Sequence, residues 1–64
     1  MDQEKFNLSM RKFLKQVGVT SQQQIEDNVR NSDLTGKDKI RVKVVLTAEE
    51  TGLNHVVEGE IDLS

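Results

Sequence analysis

Lys39-Ile40-Arg41-Val42-Lys43-Val44-Val45-Leu46 is basic and apolar by turns, and His55-Val56-Val57-Glu58-Gly59-Glu60-Ile61-Asp62-Leu63 is acidic and apolar by turns. Strict alternation is the mark of a strand with one face toward a core and one toward water. Two such runs of opposite charge, joined by a short segment containing Gly52, predict an antiparallel hairpin over 39–47 and 54–63. The register follows from the requirement that both apolar sets share a face. The pairing Lys43–Glu58, Arg41–Glu60 and Lys39–Asp62 meets it and sets every cation against an acid. A slip of two residues keeps the apolar face but places Lys43 against Val56 and loses one charge pair. Each cross-strand pair contributes only about 0.2–1 kcal/mol, so the charges select the register rather than create the fold. Gly52 is the expected site of a positive φ in the connecting loop.

Upstream of the hairpin the period changes from two to that of a helix. Phe6, Met10, Phe13, Leu14 and Val17 fall on one helical face. Asp2 is placed to cap the N-terminus and Gly18 to end the helix in a Schellman turn, with Val19 folded back. The expectation is a helix over about 2–17. Thr20 with Gln23, or Ser21 with Gln24, fits a capping box that would open a second helix over 21–30. Its apolar stripe is Ile25 and Val29 alone, and Asn31-Ser32-Asp33 would end it. Leu34 then anchors the chain before a turn at Thr35-Gly36-Lys37-Asp38. The predicted fold is α+β: a single domain over 1–64, two N-terminal helices packed on a C-terminal antiparallel hairpin. An isolated hairpin is marginal in water, so the helix carrying both phenylalanines is its natural lid.

Composition narrows the functions. Sixty-four residues lie near the lower limit for independent folding, and a core of that size needs a staple. The chain has no cysteine and one histidine, which excludes disulfides, thiolate chemistry and zinc clusters. Self-association is the remaining staple. No segment reads as a membrane span or a signal peptide, and the absence of cysteine suits a cytoplasmic location. A net charge of −2 offers no general attraction to nucleic acid or anionic lipid. The charge is nevertheless uneven: Lys5, Arg11, Lys12 and Lys15 have no acidic residue among them before Glu26.

Four features are candidates for function, each against a plainer reading. The helix–Gly–helix rhythm over 13–30 is that of a DNA-binding helix-turn-helix, with Gln22 and Gln23 able to read adenine edges. Against it, the second helix carries Glu26 and Asp27 beside Arg30, where phosphate contacts demand several cations. Leu8, nearly opposite the apolar stripe and ringed by cations, could touch a partner; a lone exposed leucine needs no such explanation. Val45 and Val56 interrupt the charged face of the hairpin and, with Leu53 and Ala48 at the tip, could form a contact patch. They are also ordinary strand residues. His55 opposes Leu46 on the apolar side, where a packing histidine is the simpler reading, since no nucleophile or paired acid is placed beside it. The acidic residues lack the spacing of a metal loop, and no glycine-rich phosphate loop is present.

The segments from Phe6 to Ser21 and from Gly52 to Ile61, with the string Asn54-His55-Val56-Val57-Glu58-Gly59, resemble a family of short bacterial proteins of unknown function. The resemblance implies no activity, cofactor or site. The functional expectation is a small non-catalytic cytoplasmic interaction module without cofactors, self-associating through the hairpin or meeting a protein partner. Leu8, Val45, Leu53, His55 and Val56 are its candidate contact surface, and a small nucleic-acid binder using 13–30 is the alternative.

Overall fold

The computed structural model describes all residues, 1–64, as one helix followed by a two-stranded antiparallel sheet. The chain divides into two compact units, Met1–Leu34 and Thr35–Ser64.

In the first unit a single helix, α1, spans Gln3–Arg30. Asp2 caps it as its position requires: the carboxylate accepts hydrogen bonds from the backbone N–H of Glu4 at 3.0 Å and Lys5 at 3.1 Å. These satisfy two of the donors that a helix start leaves open. At the other end the Asn31 and Ser32 N–H groups donate to the carbonyls of Asp27 and Val29. The Ser32 hydroxyl donates to the Asn28 carbonyl at 2.6 Å. The expected stop at Asn31-Ser32-Asp33 is therefore where the helix ends.

The expected break at Gly18 does not occur, so the two predicted helices are one. Glycine in a helix interior costs about 1 kcal/mol relative to alanine, whereas ending the helix would leave orphaned carbonyls and require a second nucleation. No proline enforces a stop. Thr20 shows the outcome directly. Its hydroxyl donates backward to the Gln16 carbonyl at 2.8 Å, a bond made inside a helix rather than at an N-cap. Val19 is an exposed helical residue, not a Schellman anchor. Beyond the glycine, Gln22 donates to Glu26 at 3.0 Å and Arg30 pairs with Asp27 at 3.1 Å. Both are local supports at helical spacing.

In the second unit β1, Lys39–Ala48, pairs antiparallel with β2, Leu53–Asp62. The register is the expected one on every rung, from Lys39 opposite Asp62 to Ala48 opposite Leu53. A bond from the Leu63 N–H to the Asp38 carbonyl, at 2.7 Å, carries the ladder one step further. The strands are joined by 49–52, in which the Thr51 N–H turns back to the Ala48 carbonyl and Gly52 has φ +69. Gly36, in the turn before β1, has φ +82. Both are left-handed conformations that a Cβ would disfavour.

No side chain in either unit is fully buried. The more enclosed positions of the hairpin are Ile40, Val42, Leu46, Ala48, Ile61 and Leu63, all on the apolar face. In α1 they include Val17, Ser21, Ile25 and Val29, which follow one another at four-residue steps.

Candidate interaction surfaces

The hairpin sorts its side chains onto two faces by register. One face carries Ile40–Ile61, Val42–Gly59, Val44–Val57, Leu46–His55 and Ala48–Leu53; the other carries Lys39–Asp62, Arg41–Glu60, Lys43–Glu58, Val45–Val56 and Thr47–Asn54. His55 thus lies opposite Leu46 as expected, and it is exposed. Leu53 and Ala48 occupy the face opposite Val45 and Val56, so the tip patch that would join these four does not form. The alternation that fixes the register also separates them.

What the register does bring together is a belt of four valines. Val44–Val57 and Val45–Val56 are consecutive rungs, one on each face, and all four side chains are exposed. Val45 and Val56 are 54% and 47% exposed in the middle of the otherwise polar face. β-Branched pairs suit a strand, yet apolar side chains on both faces of one hairpin cannot all be turned from water by a single cover. The outer edge of each strand also has no neighbour in the two-stranded sheet.

The three opposite-charge rungs are aligned but do not close into ion pairs within 4 Å. Their contribution is long-range and solvent-screened, in keeping with the small energies of exposed pairs. No group of three or more histidine, cysteine or acidic side chains is arranged to hold a metal ion.

On α1, Leu8 is 67% exposed beside a shallow, open depression lined by Glu4, Asn7, Leu8 and Arg11. On the opposite side runs the apolar stripe. Phe6, Met10, Phe13 and Leu14 are all exposed, and past Gly18 a row at four-residue steps, Ser21, Ile25 and Val29, extends from Val17 along the same helix while winding away from that face by about 40° per step. The sequence reading missed this continuity. The signal was present in the four-residue steps from Val17 to Val29, but the glycine was given more weight. The turn on which a helix-turn-helix depends is absent, since residues 13–30 lie within one helix. No helix is long and apolar enough to cross a membrane.

A capped amphipathic helix followed by a charge-registered hairpin defines a small α+β protein. Over its whole length, residues 1–64, the chain matches the model of the DUF6494 family of unknown function, and it belongs to that family. No curated protein and no solved structure gives a significant match.

Proposed function

We propose that this chain is a small non-catalytic interaction module of the cytoplasm that self-associates, with the hairpin as its contact surface. The observation that carries the reading is the valine belt. Val44, Val45, Val56 and Val57 expose apolar surface on both faces of one hairpin, and covering it stabilises by about 25 cal/mol per Å². The small size of the chain, without disulfide or metal, supports the same reading, because such scaffolds commonly gain their stability from a second chain.

The test is the mass in solution of the full chain at high micromolar concentration, by sedimentation or light scattering. A multiple of the chain mass is the expected result. Replacing Val45 and Val56 together by lysine should then weaken the association at least tenfold. A mass equal to one chain overturns self-association, and an unchanged association in the double variant overturns the hairpin as its surface.

A further inference from the structure

We infer that copies of this chain join edge to edge, β1 of one against β2 of the next, antiparallel and in the register that already holds the hairpin. This rests on the self-association reading and adds to it the contact and the orientation.

The first support is the backbone. The Leu63 N–H bonds to the Asp38 carbonyl at 2.7 Å, in line with the ladder, so this pair exchanges its hydrogen bonds across the hairpin. In an antiparallel ladder such pairs alternate with pairs whose N–H and C=O groups turn away. Along β1, Ile40, Val42, Val44, Leu46 and Ala48 therefore bond inward. Lys39, Arg41, Lys43, Val45 and Thr47 present their N–H and C=O groups to the outer edge, and their opposites on β2 do the same on the other edge. Neither edge has a neighbour in the two-stranded sheet, and both can accept a further strand.

The second is charge, and it chooses between the edges. Antiparallel joining that keeps the apolar faces of both hairpins on one side leaves three contacts: β1 with β1, β2 with β2, and β1 with β2. β1 holds Lys39, Arg41 and Lys43 and no acid; β2 holds Glu58, Glu60 and Asp62 and no lysine or arginine. A like-with-like edge crowds one sign of charge onto adjacent strands and offers none of the other, which disfavours it. The β1–β2 edge sets Lys43 against Glu58, Arg41 against Glu60 and Lys39 against Asp62 of the next copy, all residues whose backbone groups face that edge. A shift of two residues in either direction loses one of these pairs. Within the hairpin the same side chains close no ion pair within 4 Å, so they are not committed to their own chain. Charged residues on an edge strand commonly repel further copies; here each edge repels its own kind and accepts the other.

The third is the valine belt. In this register Val45 meets Val56 and Val44 meets Val57 of the next copy, the same rungs that occur within the chain. The belt of one hairpin runs on into the next, and each of these exposed valines gains a valine neighbour across the new contact. The contact is heterologous, so every copy added leaves one edge of each kind open.

The test blocks one edge at a time in the full chain. Proline lacks the N–H and is tolerated where a strand residue faces outward. Val45→Pro removes a donor from the outer edge of β1 and Val56→Pro one from that of β2. Each leaves the hairpin's own ladder intact, which far-ultraviolet circular dichroism checks. Masses are measured by sedimentation at high micromolar concentration. The unmodified chain should exceed two copies as its concentration rises. Each variant alone should self-associate at least tenfold more weakly. Mixed in equal amounts the two should associate again but stop at two copies, because Val45→Pro still offers β2 and Val56→Pro still offers β1. Lys43→Pro and Glu58→Pro, on the same two edges, repeat the experiment if either valine variant unfolds. Undiminished association of one variant alone overturns the proposal in favour of a like-with-like edge. Undiminished association of both overturns edge pairing, and a mixture that fails to recover overturns the complementary contact. A single-chain mass of the unmodified protein removes this inference together with the reading on which it rests.

Discussion

The hairpin and the helix both carry segregated charge, but they differ in where the complement lies. In the hairpin the basic strand finds its acidic strand within the same chain, rung by rung, from Lys43–Glu58 to Lys39–Asp62. In α1 the basic stretch and the acids at Glu26 and Asp27 lie along one rigid rod. A strand can fold back on its complement through four residues; a helix without a break cannot. Between Lys5 and Lys15 the helix carries four cations and no acid. The charges of the hairpin are thus a register device, while those of the helix have no such pairing along their own element.

The largest effect should come from the valine belt. Val45→Lys with Val56→Lys would place two ammonium groups on the proposed contact surface in place of exposed apolar side chains. Self-association measured by sedimentation should weaken at least tenfold. Leu8→Lys, on the helix, should leave the mass unchanged. If Leu8→Lys disrupts association and the hairpin variant does not, the contact surface belongs to the helix and the comparison is reversed.

Next come the backbone positions. Gly52→Ala forces a Cβ into a left-handed conformation at φ +69, which costs about 1–2 kcal/mol. The hairpin should lose that stability in urea unfolding. Gly18→Ala should act in the opposite sense. A Cβ there meets nothing within 4 Å, and the helix should gain about 1 kcal/mol, read as a higher melting temperature of the far-ultraviolet helix signal. A loss of stability at Gly18→Ala would show that the glycine is held for close approach rather than tolerated. Removing the cap with Asp2→Ala should lower helix stability by about 1 kcal/mol.

The smallest effect belongs to the charged rungs. Lys43→Glu sets like charges opposite each other and should destabilise the hairpin by about 0.2–1 kcal/mol. Adding Glu58→Lys should restore most of the loss, a coupling measured by a double-mutant cycle. Were the loss several kcal/mol, the charges would be holding the hairpin together and its contrast with the helix would fail.

Legibility followed the range of the forces involved. The hairpin could be read because its constraints are local and mutually consistent: alternation, opposite charge and Gly52 all agree on one register. The Asp2 cap and the end of the helix near Asn31 were legible for the same reason, since capping uses residues within a turn. The candidate patch was legible only in part. Val45–Val56 is a true rung, but grouping it with Leu53 ignored the alternation already used to set the register. Gly18 was misread because glycine is compatible with two outcomes of similar energy.

The sequence by itself therefore determined strand pairing, register, the positive φ at Gly52 and the two ends of the helical region, because each depends on neighbours or on a partner strand a few residues away. The tertiary structure decided that residues 3–30 form one continuous helix. The reason is a balance no single residue announces. Glycine costs about 1 kcal/mol within a helix. Stopping there would leave a second, weakly apolar segment to nucleate on its own, and a helix of about ten residues is marginal in isolation.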